Sequence, residues 1–330
     1  MQLREQTNKP LVQIFLLNQS TKPKVVAVIG ATATGKTAVG IELATELGGE
    51  VVNGDSRLFY RGMDVATAKP TLAETKAVPH HLMDFLDPNE QFSLGEYLKK
   101  ARAAIDEIVS RGKLPIIVGG AGQYIWALIE GWEVPEIEPN LQLRAELDTK
   151  FKNHGVERLS DELQRLAPKI AESTDLKNHR RIIRAIERVY SGDSTADSGH
   201  RKVDEEPFDS FLVGLSVERS VLHQRVTDRL KVMLNNGWVN EVEGLIEAGY
   251  SNNDRALSGI GYRQMIGHLS GEYDLKEAVR LTAVATNRLI RQQSNWFKSG
   301  DRRIRWFDMT NDSNQTKKSI IERTIAWHIN

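Results

Sequence analysis

The sequence predicts an α/β fold, in which helices cover both faces of a parallel sheet and a helical insertion interrupts the chain. Short apolar runs rich in β-branched residues alternate with longer segments of helical periodicity, which is the element order of a parallel sheet. From 141 to 190 the pattern is helical and charged without a strand signal, which predicts the insertion. The chain has 330 residues, of which 40% are hydrophobic, enough for one large or two modest domains.

The first predicted strand, 25–29, leads into a glycine-rich turn. This turn, GATATGKT at 30–37, fits the pattern G-x-x-x-x-G-K-[ST], and 38–47 continue with apolar residues at helical spacing. Strand, turn and helix in this order are the context in which the pattern binds phosphate. The predicted fold class is therefore a P-loop NTPase-like parallel-sheet core with a helical insertion domain.

Each part of the turn has a physical role in the predicted phosphate site. Gly30 and Gly35 allow the backbone to form a nest of N–H donors, and the helix N-terminus adds partial positive charge. Lys36 supplies a full positive charge, and the Thr37 hydroxyl suits Mg²⁺.

The later elements follow from the same signals. Strands are predicted over 50–53, 80–84, 114–118 and 211–216. Helices are predicted from a Ser93–Glu96 capping box to 111–113, from a second glycine-rich turn at 119–124 to about 130, and over 219–250 and 275–298. Glycine and proline interrupt 62–79, which is predicted to be irregular.

These elements divide the chain into three parts. Residues 1–22 are predicted to form an N-terminal extension, and 23–131 with 208–330 form the α/β core and its C-terminal helices. Residues 132–207 form the helical insertion, which begins with a proline-containing linker at 132–140 and ends in a polar loop at 191–207.

Composition excludes several classes of protein. Lys with Arg and Asp with Glu both total 44, so no overall basic charge indicates nucleic acid. The absence of Cys excludes disulfides, thiolate zinc sites and Cys nucleophiles. No apolar run approaches the ~20 residues that span a bilayer. The apolar stretch 11–17 is interrupted by Gln13 and no small-residue cleavage site follows it, so we expect a cytoplasmic protein without a membrane partner.

Asp55 is the leading catalytic candidate. It follows the predicted strand 50–53, and residues just past the carboxyl ends of parallel strands line the ligand crevice. A carboxylate beside the phosphate loop could take a proton from an attacking group, or it could assist a Mg²⁺ ion as in a kinase. ATP hydrolysis is disfavoured, because the strand at 114–118 ends in two glycines rather than in a metal-binding Asp.

Local basic clusters carry the prediction of nucleic-acid binding. Arg180, Arg184 and Arg188 share one predicted helix face beside Arg181, which favours contacts with backbone phosphates over a plain solvated face. A second cluster combines cations with Trp296 and Trp306, which suits RNA unless both rings belong to the core. It comprises Arg280, Arg288, Arg291, Lys298, Arg302, Arg303 and Arg305.

Arg225 and Arg229 lie one turn apart on a predicted helix. Either guanidinium could hold a diphosphate as a fork of N–H donors, or it could form a surface ion pair.

Several stretches together resemble one family, the tRNA dimethylallyltransferases. The matching segments follow one another in order: GATATGKT at 30–37, DSRLFYRGMDVATAKP at 55–70, VPHHLMDF at 78–85, VGGAGQYIWALIEG at 118–131, RRIIRAIE at 180–187, LHQRVTDRLKVMLNNGWVNEVEGL at 222–245 and IGYRQM at 260–265. The second and last of these are more specific than the phosphate loop. The chain lacks a Cys/His zinc-finger tail and so resembles the bacterial form.

The resemblance implies a reaction with Mg²⁺. The dimethylallyl group of dimethylallyl diphosphate passes to N6 of the tRNA adenosine 3′-adjacent to the anticodon, and diphosphate leaves. The insertion is expected to clamp the anticodon stem-loop of the tRNA, and the protein is expected to be a monomer.

The resemblance also implies residue roles. The catalytic residues would be Asp55, which accepts the N6 proton, Lys36, which neutralises the diphosphate, and Arg229. Arg229 is favoured over Arg225 as the group that stabilises the leaving diphosphate, and Thr37 would lie near the metal. Residues expected at the diphosphate are Gly30, Thr32, Ala33, Thr34, Gly35, Lys36, Thr37 and Arg225. Residues expected at the tRNA are Asp55, Ser56, Arg57, Leu58, Ala121, Arg180, Arg181, Ile182, Ile183, Arg184, Gly259, Ile260, Gly261, Tyr262 and Arg263.

Four positions depart from the family pattern. Leu58 replaces a Gln, Ala121 replaces a Thr, and Asn287 and Gln292 replace basic residues. These departures leave open a tRNA-binding paralogue with weak or lost catalysis. An adenylate prenyltransferase and a small-molecule P-loop kinase are further alternatives.

Overall fold

The computed structural model describes residues 22–134, 139–192, 205–311 and 313–329. The predicted N-terminal extension, apart from Lys22, and most of the predicted loop 191–207 lie outside these residues. Among the described helices, none is both long and apolar enough to cross a membrane.

A parallel sheet forms the centre of the described structure. Its strands are β1 (Lys24–Gly30), β2 (Glu50–Asn53), β3 (His80–His81), β4 (Pro115–Gly119), β5 (Asp209–Ser216) and β6 (Ile304–Asp308). They are arranged in the order β3-β2-β4-β1-β5-β6, and every neighbouring pair is parallel. Val28 of the central strand β1 is in register with Val118 and Val213 on its two neighbours. All carboxyl ends therefore lie at one edge of the sheet.

Helices connect the strands. In chain order they are α1 (Lys36–Leu47), α2 (Leu72–Ala77), α3 (Leu94–Ser110), α4 (Gly122–Ile129), α5 (Leu141–Leu166), α6 (Pro168–Ser173), α7 (His179–Tyr190), α8 (Arg219–Asn235), α9 (Trp238–Glu247), α10 (Tyr262–Leu269), α11 (Leu275–Trp296) and α12 (Ser313–Ile329).

Alternate residues of β1 belong to different hydrophobic clusters. Val25, Ala27 and Ile29 are fully buried in a cluster that contains side chains of α3, α4 and α8 to α11. Val26 and Val28 are buried in a second cluster with α1 and α12. Because side chains alternate between the faces of a strand, helices cover both faces of the sheet, as predicted.

The helices α5, α6 and α7 of the predicted insertion have a hydrophobic cluster of their own. It includes Leu147, Leu159, Leu163, Ile182 and Ile186, all fully buried. Gly155 interrupts α5 with a φ of 76°, so this long helix consists of two pieces.

Several local predictions are corrected. The segment 62–79 is not wholly irregular, since α2 begins at a capping box formed by Thr71 and Glu74. The predicted helix 219–250 divides into α8 and α9 at Gly237, whose φ is 86°. The strand predicted at 80–84 ends at His81, because Leu82 and Asp84 adopt positive φ. Strand β6 and helix α12 were not predicted.

Candidate active site

Three strand ends meet beside the glycine-rich turns. The Gly54 N–H, which follows β2, donates to the Val118 carbonyl of β4 over 2.8 Å. A Cβ atom at Gly119 would lie 2.2 Å from the Gly54 carbonyl oxygen, so only glycine permits this approach. The loop carrying Asp55 and the turn carrying Ala121 are therefore packed together at the sheet edge.

The phosphate loop after β1 has the backbone shape that its glycines predict. Gly35 has a φ of 93°, immediately before α1 begins at Lys36. A Cβ atom at Gly30 would lie 2.6 Å from the Leu215 carbonyl oxygen of β5. The buried Thr34 donates from Oγ1 to the Ala31 carbonyl over 2.9 Å. The loop is thus held by its own contacts at the amino end of a helix, where anions bind.

Lys36 lies inside this loop beside two other charged side chains. Its ammonium donates to the Ala31 carbonyl over 2.8 Å. Burial lowers the pKa of Lys36 to about 8, the negative charge of Asp55 raises it, and the positive charge of Arg229 lowers it. Asp55, Lys36 and Arg229 therefore form one electrostatic cluster.

Of the two candidate arginines of α8, Arg229 belongs to this cluster and Arg225 contacts the phosphate loop. Arg225 donates from Nη2 to the Met309 carbonyl over 2.7 Å and from Nη1 to the Ala33 carbonyl of the phosphate loop over 3.5 Å. Arg229 donates from Nη2 to the Thr67 carbonyl over 3.0 Å. Burial lowers the pKa of Arg229, and the charge of Asp55 opposes that shift. The arginines bring positive charge to the side of the nest that faces α8.

Asp55 is fixed at the end of β2 by its neighbours. Its N–H donates to Oδ1 of the fully buried Asn53 over 2.8 Å, and its own Oδ1 accepts from the Arg57 N–H over 3.0 Å. Asn53 in turn donates to the Asp55 and Leu82 carbonyls over 3.0 and 2.9 Å. The half-buried carboxylate is held beside Lys36, and it can act on a group that enters from solvent.

Arg57 connects this loop to the predicted tRNA segment 259–263. Its Nη1 donates to the Ala256 carbonyl over 3.3 Å, and a Cβ atom at Gly259 would lie 3.0 Å from it. Within 259–263, Arg263 is exposed and Ile260 is half-buried. Tyr262 is 1% exposed and donates from its hydroxyl to Glu241 over 2.7 Å. The Tyr262 side chain therefore supports the loop from beneath, and the expected tRNA contact of this residue stays a prediction for its backbone alone.

The basic face of α7 is smaller than predicted. The Ile182 and Ile183 side chains are buried in the cluster of the insertion, so the expected tRNA contacts of these residues stay predictions for their backbone alone. Arg184 pairs with the buried Glu187 at 2.5 Å, and Arg188 is itself buried. Arg180 and Arg181 are exposed, and Arg181 pairs with the exposed Asp175 at 3.7 Å, so both guanidinium groups face solvent where a phosphate backbone could reach them.

The second predicted basic cluster is also divided by the structure. Arg303 pairs with Glu130 and Asp301 at 2.9 and 2.7 Å, and Arg305 lies on β6 over the Phe211 ring. Trp296 is 41% exposed. Arg303, which precedes β6, and Arg305 are therefore engaged within the protein, and Arg280 of α11 pairs with Glu277 at 2.7 Å.

The sequence model of the IPP transferase family matches residues 58–300. The chain belongs to the IPP transferase family. The family resemblance carried by the motifs is thus confirmed.

Individual relatives extend over most of the chain. A tRNA dimethylallyltransferase of Thermomicrobium roseum is 40% identical over 291 residues, which cover 87% of this chain and 86% of that protein. The full-length tRNA isopentenylpyrophosphate transferase of Bacillus halodurans has a crystal structure that is 35% identical, with a TM-score of 0.69 over 92% of this chain and 96% of that one. A eukaryotic dimethylallyltransferase, crystallised acting on tRNA, is 25% identical with a TM-score of 0.78 over 92% of this chain and 78% of that one.

One side chain of this IPP transferase site was missed by the sequence analysis. Gln293 of α11, 5% exposed, accepts at Oε1 from the N–H and hydroxyl of Thr32 over 2.7 and 3.1 Å. Its Nε2 donates to the Gly120 carbonyl over 3.1 Å. Gln293 thus joins the phosphate loop to the second glycine-rich turn. No local periodicity signals such a contact, because its partners are distant in sequence.

The positions that depart from the IPP transferase pattern lie in the loop after β2, at the start of α4 and on α11. Leu58 and Thr37 line one small apolar cavity with Met83 and Val118. Ala121 caps α4 without a side-chain hydrogen bond. Two further departures lie on α11: Asn287, whose Oδ1 is buried without a hydrogen-bond partner among the described residues, and Gln292.

Proposed function

We propose that this IPP transferase transfers the dimethylallyl group of dimethylallyl diphosphate to N6 of the tRNA adenosine 3′-adjacent to the anticodon. The observation that carries the proposal is the cluster of Lys36, Arg229 and Asp55 at the mouth of the phosphate loop. It combines cations for a diphosphate with a carboxylate for a proton. The names of the relatives, tRNA dimethylallyltransferase among them, support the same reaction.

The donor diphosphate would lie in the nest of backbone N–H groups at 30–37. Lys36 and Arg229 neutralise the charge that develops on the diphosphate as the bond between C1 and the bridging oxygen breaks. Arg225, which lies against Ala33, supplies a further guanidinium. These cations act most strongly on the leaving group, because its negative charge increases in the transition state.

The acceptor nitrogen would approach from the side of Asp55. As N6 forms its bond to C1, the proton of the exocyclic amine passes to the Asp55 carboxylate and diphosphate departs. A positioned base of this kind contributes roughly 10² to 10⁴ in rate. The adenosine must leave the base stack to enter the site, and the loop 55–58 would line its pocket.

The residues at the amino end of α1 fit a Mg²⁺ ion. Mg²⁺ takes oxygen ligands and is usually bound by few protein groups together with substrate phosphates. The Thr37 hydroxyl and the oxygens of a bound diphosphate would hold it, and the ion would supply additional charge neutralisation at the diphosphate.

The exposed arginines would contact the tRNA backbone. Arg180 and Arg181 lie on the insertion, and Arg263 lies on the segment that Arg57 ties to the Asp55 loop. A free nucleotide would need no such extended basic surface, which favours tRNA over AMP as acceptor.

A label-transfer assay tests the proposal. Purified protein is incubated with Mg²⁺ and labelled dimethylallyl diphosphate, with tRNA or AMP as acceptor. We expect label in tRNA alone. Label in AMP instead would establish an adenylate prenyltransferase, and tRNA retained on a filter without label would establish a binding paralogue.

A further inference from the structure

A short turn next to the site points its backbone donors at one carboxylate. Glu241 of α9 accepts at Oε2 from the N–H groups of Asp64 and Val65, both over 2.6 Å. Its Oε1 accepts from the Ala66 N–H over 3.2 Å. Three consecutive amides thus converge on the two oxygens of a single side chain, the arrangement by which backbone nests hold anions.

The same carboxylate also holds a second segment. Oε1 of Glu241 accepts from the buried hydroxyl of Tyr262, and burial followed by the Glu241 charge raises the pKa of that phenol. Tyr262 is therefore a permanent donor. Gly261 lies against the same turn, since a Cβ atom there would approach Cβ of Ala66 at 3.4 Å.

The turn leads directly to a residue of the active site. It is closed by hydrogen bonds from Ala68 N–H to Val65 O and from Lys69 N–H to Asp64 O, both 3.0 Å. Between these lies Thr67, whose carbonyl accepts from Arg229. Because the turn is closed on itself and anchored at its first three amides, Glu241 is one of the contacts that fix the position of the Thr67 carbonyl. The others are the Thr67 hydroxyl on the Met63 carbonyl and the Lys69 ammonium on the Tyr60 carbonyl, Asp64 and Asp84.

We propose that Glu241 is a positioning residue that holds Arg229 against the diphosphate through the turn 64–69. The proposal rests on the proposed role of Arg229 in diphosphate binding. A carboxylate can accept all four hydrogen bonds, whereas the amide of Gln has one accepting oxygen and a nitrogen that would oppose the backbone donors. Glu241→Gln therefore displaces the turn while leaving the size of the side chain unchanged.

The experiment is a double-mutant cycle on the full chain, with inorganic pyrophosphate as the ligand in calorimetric titrations. We expect Glu241→Gln to weaken pyrophosphate binding about tenfold, as the loss of one charged hydrogen-bonding group does. Arg229→Ala should weaken it by at least as much. The double variant should bind no more weakly than Arg229→Ala alone, because both changes remove the same interaction. Additive losses would overturn the proposal.

Two control variants distinguish an effect of the turn 64–69 from an effect of α9 or of the segment 259–263. Glu243→Gln changes an exposed residue of the same helix and should leave the pyrophosphate affinity unchanged. Tyr262→Phe removes only the hydrogen bond from the phenol to Glu241, and the pyrophosphate affinity should again be unchanged. A loss in Tyr262→Phe equal to that in Glu241→Gln would assign the effect to the segment 259–263 and contradict the proposal.

Stability and activity are followed separately. If Glu241→Gln unfolds below the assay temperature, Glu241→Asp replaces it, since the shorter carboxylate keeps the charge but withdraws from the amides. The cycle needs no prenyl transfer. A wild-type protein that binds pyrophosphate but labels no acceptor would refute the proposed transfer reaction alone, whereas additivity in the cycle would refute the role of Glu241 alone.

Discussion

Replacing Asp55 with Asn removes the proposed base with little change in shape. The amide oxygen of Asn can still accept from the Arg57 N–H, so the loop geometry is expected to survive. Loss of the base should lower the rate of transfer by roughly 10² to 10⁴, which corresponds to about 3 to 5 kcal/mol in activation free energy. The affinity for tRNA should stay near that of the wild type, because no cation is removed.

The same substitution has a second, electrostatic consequence. The Asp55 charge raises the pKa of Lys36, which burial has lowered to about 8. Without that charge the Lys36 pKa falls further, so Lys36 loses its proton at lower pH. Pyrophosphate binding by Asp55→Asn should therefore weaken at a lower pH than binding by the wild type.

Two measurements check this prediction. Single-turnover transfer of labelled dimethylallyl to tRNA gives the rate, and calorimetric titration with pyrophosphate across pH gives the Lys36 effect. Pyrophosphate itself gains and loses protons in this pH range, but this affects both proteins equally and so cancels in the comparison between them. Asp106→Asn, on an exposed face of α3, is the control. Transfer within a few-fold of the wild-type rate would show that Asp55 is not the base. If pyrophosphate affinity has the same pH dependence in Asp55→Asn as in the wild type, the Asp55 charge does not act on the Lys36 pKa.

Three further changes probe the site and the insertion. Gln293→Leu leaves the Thr32 N–H and the Gly120 carbonyl without their partner. It should therefore lower the free energy of urea unfolding by about 1–3 kcal/mol and weaken pyrophosphate binding. Equal effects from Gln292→Leu, at the neighbouring position, would show that the Gln293 contacts with Thr32 and Gly120 are not responsible. Arg180→Ala should reduce the slope of log tRNA affinity against log salt concentration by about 1. Arg184→Ala should change this slope less, because Arg184 is paired with Glu187. Equal slopes for the two variants would refute this difference. Ile182→Ala should destabilise the insertion by about 2–5 kcal/mol in urea unfolding, with tRNA affinity unchanged in folded protein; reduced affinity in protein that is still folded would restore Ile182 as an RNA contact.

The central elements could be predicted because their signals are local. A β-branched run followed by G-x-x-x-x-G-K-T specifies strand, nest and helix within a few residues, and the structure has β1, the loop and α1 in that order. The capping box at Thr71 and Glu74 was equally local, yet the prolines around it led to a prediction of irregular structure.

The residues whose roles or orientations were missed depend on distant contacts. Glu241 and Gln293 acquire their roles from amides far away in sequence, which no periodicity encodes. A motif also does not show which of its side chains point inward. Ile182 and Tyr262 belong to segments that resemble tRNA contacts, but their apolar or aromatic bulk is buried beneath those segments.

A crystal structure with an unreactive thiolo analogue of dimethylallyl diphosphate tests the central claim most directly. We predict the diphosphate in the nest at 30–37, hydrogen-bonded to Lys36 and Arg229, with its C1 atom turned toward Asp55. A diphosphate bound away from that loop, or a C1 atom facing away from the Asp55 carboxylate, would contradict the account.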